Sequence, residues 1–176
     1  MLDAYQQRLR KHVPKCLDQV QADLLEASAA GEDGATHLIY ELRGARDERH
    51  ARVWGFDLGR LRGGVGEGMF VSPIDLTWGD SSERARVFDS DLHGYHGELG
   101  CSAKVRGEGD PEEAFACPGC SGGTFAVRVR LSYWEAVRDL WEDEPGTNVE
   151  DYFCNFELLG TCSRCHHLTT ICAMDL

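Results

Sequence analysis

Two Cys-x-x-Cys sequences constrain this chain more than any other feature: Cys117-Pro118-Gly119-Cys120 and Cys162-Ser163-Arg164-Cys165. A two-residue gap lets one tight turn present both sulfurs to a single ion. Zinc takes four thiolate or imidazole ligands in a tetrahedron, at about 2.0–2.3 Å. The fold must therefore bring together two turns separated by 41 residues. Pro118 and Gly119 suit the first turn, and Gly122-Gly123 lets the chain leave it. Four cysteines complete the coordination shell. A catalytic zinc keeps an open position and usually has three protein ligands, so the pattern predicts one structural Zn2+ held by Cys117, Cys120, Cys162 and Cys165.

Thr124–Tyr133 alternates, with Phe125, Val127, Val129, Leu131 and Tyr133 on one side and Ala126, Arg128, Arg130 and Ser132 on the other. That is the pattern of a half-buried antiparallel strand. Asp151–Leu159 and Leu168–Ala173 read as two more strands. Together with the cysteine pairs, these segments resemble the zinc-ribbon group of folds over roughly residues 113–176. The resemblance implies a small β unit closed by metal. It is nearly silent on function, because ribbons occur in very different proteins. One departure is the spacing, since the compact pattern has about 15–20 residues between pairs. The segment Trp134–Glu150 accounts for the excess as an insertion. There Ser132 and Glu135 are spaced as a capping box, with Trp134, Val137, Leu140 and Trp141 on one helical face.

Other readings of the cysteines exist. A Cys-x-x-Cys beside a βαβ pattern is a redox motif, but this region is β-rich and lacks that pattern. His166 and His167 could replace a cysteine only by stranding a thiol from a complete set, and they read as solvated turn residues. Cys16, Cys101, Cys154 and Cys172 read as small buried thiols.

Upstream, Leu2, Tyr5, Leu9, Val13, Leu17, Val20 and Leu24 recur at three- or four-residue spacing, predicting a helix over residues 2–29 that Pro14 kinks or splits. Thr36–Arg43 and Arg52–Leu58 read as the strands of a β-hairpin, the second with Trp54, Phe56 and Leu58 on one side. Gly59–Gly68 reads as a loop, and Met69–Trp78 as a strand with Pro73 at an edge or bulge. Arg84–Phe88 and Leu99–Val105 read as short strands. The expected class is α+β: an N-terminal helix packed on a mostly antiparallel sheet, with a C-terminal zinc-ribbon-like unit. Residues 1–105 and 114–176 are its two regions, joined by a charged linker over 106–113, or else parts of one continuous core.

Composition bears on function. The chain has 176 residues and a net charge of −12 from 30 acids and 18 bases. Such a field repels nucleic-acid phosphates and favours basic partners. No apolar run approaches the roughly 20 residues of a membrane span. The N-terminus lacks the apolar core of a secretory signal, so a cytoplasmic location with reduced thiols is expected. RLRGGVGEG lacks the Lys-Ser or Lys-Thr of a phosphate loop. Asp89, Asp91, His93, His96 and Glu98 crowd one stretch and could serve a metal-dependent hydrolase, although a polar loop is the simpler reading. Arg128 and Arg130 are the residues a nucleic-acid-associated ribbon would use. Trp134, Asp139, Trp141, Glu142, Asp143 and Glu144 mix acids with aromatics, a composition suited to a basic protein partner. The leading expectation is a non-catalytic binding protein, specifically an immunity-type inhibitor of a basic toxin enzyme.

Overall fold

The structure is a computed structural model and describes residues 3–28, 34–63, 68–95 and 105–176. Strands dominate. They are β1 (Gln21–Ser28), β2 (Thr36–Arg43), β3 (Ala51–Asp57), β4 (Phe70–Trp78), β5 (Ala85–Phe88), β6 (Glu113–Ala114), β7 (Phe125–Tyr133), β8 (Asn155–Cys162) and β9 (Leu168–Asp175). Helix α1 (Ala4–Lys11) opens the chain, α2 (Leu58–Leu61) is one turn, and α3 (Glu135–Asp143) follows β7. Short 3-10 turns occupy Lys15–Leu17 and Val149–Asp151.

Five strands close a barrel. β3 pairs with β4, β4 in parallel with β9, β9 with β8, β8 with β7, and β7 returns to β3 through Ala51 opposite Phe125. β2 continues along the same edge of β7, and β1 lies outside β2. The inward face of β7 is the predicted one: Phe125, Val127, Val129, Leu131 and Tyr133 are buried. They meet Phe156 and Leu158 of β8, Val53 of β3, Ile74 and Leu76 of β4 and Ile171 of β9 in one apolar core. Each such aliphatic or aromatic side chain contributes about 1.5–3 kcal/mol by leaving water. Gly160 is required here, because a Cβ would meet Ile171 Cδ1 at 2.6 Å and Phe125 Cδ1 at 3.1 Å.

Several expectations change. Among the described residues of the predicted helix over 2–29, Ala4–Lys11 is α-helical, Lys15–Leu17 is a 3-10 turn, and Gln21–Ser28 is a strand. A β-bulge between Leu24 and Glu26 explains the misleading period. The extra residue shifts the inward positions to Val20, Ala22, Leu24 and Ala27, a spacing that imitates a helical stripe. β2 and β3 do not form a hairpin; they lie one after the other along β7. β3 turns Ala51 and Val53 inward, while Trp54 carries the Arg84 guanidinium 4.2 Å above its ring on the other face. Ser132 does not cap α3. Trp134 holds the N-cap position without a side-chain bond, and Ser132 Oγ lies 2.8 Å from His37 Nδ1. Pro73 sits where the β3–β4 register shifts, as a bulge requires. The Leu99–Val105 expectation lies outside the described residues, apart from Val105.

Residues 106–113 are bonded to the strands around them. Ser72 bridges Arg106 and accepts the Gly107 amide at 2.9 Å, Arg86 pairs with Asp110 at 2.8 Å, and Glu113 opens β6 beside β3.

Candidate metal centre

Cys117 and Cys120 lie on the turn entering β7. Cys162 ends β8, and Cys165 lies on the turn into β9. The pairing of Phe125 with Cys162 sets the two turns side by side. Their backbones match. In each, the first cysteine's carbonyl accepts the amide four residues on, from Ser121 at 2.8 Å and from His166 at 3.0 Å. The same cysteine's amide donates to the carbonyl five residues on, of Gly122 at 2.8 Å and of His167 at 3.0 Å. Ser121 and His166 take equivalent left-handed positions, with φ of 58° and 59°. Thr124 clasps the turns together: its carbonyl accepts the Ser163 amide at 3.0 Å, and its hydroxyl lies 2.6 Å from that of Ser163.

The four sulfurs lie within 4.8 Å of one another. Cys117 to Cys165 and Cys120 to Cys162 are each 3.6 Å apart. A tetrahedron with metal–sulfur bonds of about 2.3 Å has edges of about 3.8 Å, so the group is of a size to hold a metal ion. Gly122 admits this approach. A Cβ there would lie 3.2 Å from Cys162 Sγ and 3.3 Å from Cys120 Sγ.

The four sulfurs also act on one another electrostatically. The amides of Cys165 and Arg164 draw the Cys162 thiol down to about 6. At Cys165 the His167 amide favours the thiolate, yet the Cys120 sulfur, partial desolvation and the Cys117 and Cys162 sulfurs push the thiol up to about 12. Four thiolates this close repel one another, and a divalent ion removes that penalty. His166 and His167 are exposed turn residues. Cys16, Cys154 and Cys172 are buried free thiols, and burial raises the pKa of each.

Other predicted residues fall elsewhere. Asp89 is buried and grips Arg106 through both oxygens, at 3.1 and 2.9 Å. Asp91 pairs with Arg106 at 3.1 Å, and His93 Nδ1 accepts the Asp89 amide at 2.9 Å. His96 and Glu98 lie outside the described residues. Arg130 pairs with Glu157 at 3.5 Å, and Arg128 stands exposed opposite Glu41. Trp134 is 56% exposed at the head of α3, and Asp139, Glu142, Asp143 and Glu144 are exposed along it. Trp141 instead packs its ring 5.8 Å from that of Tyr5. Glu150 turns inward to Arg8 at 3.0 Å, and Phe153 is buried. Sequence reasoning missed the roles of Gly122, the Thr124–Ser163 clasp and Arg106. The first was findable, because Gly122 and His167 stand at the same offset from their first cysteines.

No family model matches the chain, and no solved structure matches it. A stretch of 63 residues is 40% identical to part of a glycogen synthase of Desulfatibacillum aliphaticivorans. It covers 35% of this chain and 13% of that protein, so the chain spans a small fraction of that relative's length. Among the described residues, no helix is long and apolar enough to cross a membrane.

Proposed function

We propose that this is a non-catalytic, cytoplasmic binding protein whose barrel end is tied by one structural zinc ion. It recognises a basic protein through the surface of residues 134–144. The identity of the ion rests on its donors: four thiolates in a tetrahedral arrangement suit zinc and leave no open position for substrate.

One observation carries the binding surface. Trp134 stands more than half exposed, and the helix it opens has no base in its last turn while Glu142, Asp143 and Glu144 crowd that end. Acids at a helix C-terminus oppose the macrodipole, each at a cost of about 0.3–1 kcal/mol. Glu135, Asp139 and Asp143 also repel one another at successive four-residue steps. An arrangement that weakens its own helix is explained by a cation supplied from outside. Its specific form is an immunity-type inhibitor that offers carboxylates where a basic enzyme, such as a nuclease, receives phosphates. Opposite charge would speed the encounter, and Trp134 would supply the anchor.

The hydrolase reading of Asp89–Glu98 gains little from Asp89 and Asp91, whose carboxylates pair with Arg106, or from His93, whose Nδ1 accepts the Asp89 amide. Affinity capture with zinc-loaded protein tests the proposal. Recovery of one stoichiometric basic protein, lost on Trp134→Ala, supports it. Capture of none, together with hydrolase activity lost on His93→Ala and His96→Ala, would replace it with the hydrolase. Salt-sensitive binding to oligonucleotides would instead favour the arginine-bearing face of β7.

A further inference from the structure

The seven free cysteines among the described residues differ sharply in exposure. Cys16, Cys117, Cys154, Cys162 and Cys172 are buried, Cys120 is half-buried, and Cys165 alone is exposed. The turn opposite Cys165 carries Gly119, which offers no side chain to cover the sulfur. A Cβ at Gly119 would lie 3.7 Å from Cys165 Sγ. Of the four ligand cysteines, Cys165 is therefore the one most open to a reagent arriving from solvent. That sulfur lies 3.6 Å from Cys117 Sγ, on the other turn.

We infer that Cys165 is a site of oxidative modification by peroxides, and that its oxidation exchanges the metal for a Cys117–Cys165 disulfide across the two turns. The inference rests on the zinc reading for the ion displaced, but not for the sulfur pairing. In the zinc-loaded protein ligation keeps Cys165 deprotonated, and its thiolate attacks a peroxide oxygen and breaks the O–O bond, giving a sulfenic acid and hydroxide. The Cys117 thiolate then attacks the Cys165 sulfur, forms the S–S bond and expels a second hydroxide. Two protons from solvent turn both hydroxides into water. The two sulfurs together lose two electrons, and the peroxide accepts them. Closing the gap means bringing the sulfurs from 3.6 Å to about 2.05 Å. Cys120 and Cys162 remain as two ligands of four, and the ion leaves.

The choice of partner has a structural consequence. A disulfide within either Cys-x-x-Cys would add no covalent link between the turns, which would then rest on the Phe125–Cys162 strand pairing and the Thr124–Ser163 clasp. A Cys117–Cys165 bond joins the same two elements that the metal joins, so that end of the barrel stays tied after the ion has gone. Oxidation would thus change the metal content and the exposed face of the Cys162–Cys165 turn without opening the fold.

The test treats the full-length, zinc-loaded protein with hydrogen peroxide. Zinc release is followed with a chromogenic chelator, and disulfides are mapped by non-reducing peptide mass spectrometry. The expected result is one zinc released per Cys117–Cys165 linkage formed. A Gly119→Leu variant keeps all four ligands but lays a side chain over Cys165. Its zinc affinity is measured first, and at full loading it should release the ion at least about fivefold more slowly under peroxide. Linkage of Cys117 to Cys120, or release at the parent rate from a zinc-loaded Gly119→Leu protein, overturns the inference. Absence of zinc in the starting protein would instead count against the zinc reading, and the peptide map would still decide the pairing.

Discussion

Removal of the metal should cost this protein several kilocalories, and the structure sets the scale. A zinc ion on the four cysteines would join two turns separated by 41 residues. A cross-link over a loop of that length removes about 4 kcal/mol of chain entropy from the unfolded state. Repulsion among unliganded sulfurs adds to it. For a chain of this size each kilocalorie shifts the midpoint by about 2–4 °C, so the metal-free protein should melt about 8–16 °C lower. The assay is calorimetry on protein stripped by a chelator and then titrated with zinc. Linkage requires stability to rise by about 1.4 kcal/mol for each tenfold increase in free zinc above the dissociation constant. A Cys120→Ser, Cys162→Ser double variant should start near the stripped midpoint and ignore added zinc. Equal midpoints for stripped and loaded wild-type protein would refute the structural role. A double variant that still responds to zinc would refute the assignment of ligands.

Further outcomes follow from the same geometry. Gly122→Ala inserts a Cβ 3.2 Å from Cys162 Sγ and should weaken zinc binding about tenfold, read by competition with a chromogenic chelator. Arg106→Gln leaves the buried Asp89 carboxylate with fewer partners and should destabilise by about 1–3 kcal/mol, read by denaturant unfolding. Burial raises the Asp89 pKa, but Arg106, the Asp91 amide and Arg86 outweigh it and hold the carboxyl below its ordinary value. The stability this contributes is therefore present above the unfolded value of about 3.9 and lost as pH falls through it towards the folded one. Melting curves of wild type and Arg106→Gln should converge in that acid range. Trp134→Ala should weaken capture of a basic partner by about 2 kcal/mol while leaving the midpoint within about 1 °C.

The clustering of the four cysteines was legible because they are close in sequence within each pair and their chemistry is restrictive. β7 was legible because Phe125 to Tyr133 alternate without exception. The barrel was not. Its closure depends on Ala51 meeting Phe125 and Phe70 meeting Cys172, contacts between distant segments with no local signal. The strand at 21–28 was misread for a physical reason, since a bulge changes the spacing of inward residues from two to three. Residues 106–113 lack large apolar side chains and so resemble a linker. What holds them is Arg106 with Asp89 and Arg86 with Asp110, and each of those arginines lacks any sequence mark of its partner.

The distribution of acids ties the two candidate surfaces together and keeps them separate. Thirty acids are spread over the chain, yet neither segment 114–134 nor segment 158–173 contains one. Those segments carry the cysteine turns and the strands behind them. A zinc ion with four thiolates would have a net charge of −2, and carboxylates within these segments would raise the cost of binding it. α3 begins beyond the other end of β7, whose last residue Tyr133 is eight residues from Phe125, or about 26 Å along a strand. That is more than twice the Debye length of about 8–10 Å in ordinary buffers. The two ends should then vary independently. Asp143→Lys with Glu144→Lys should stabilise α3 by about 0.6–2 kcal/mol in all and slow association with a basic partner, while zinc affinity stays unchanged. A matching shift in zinc affinity, measured at 0.15 M salt, would mean that the ends communicate through the barrel rather than through the field.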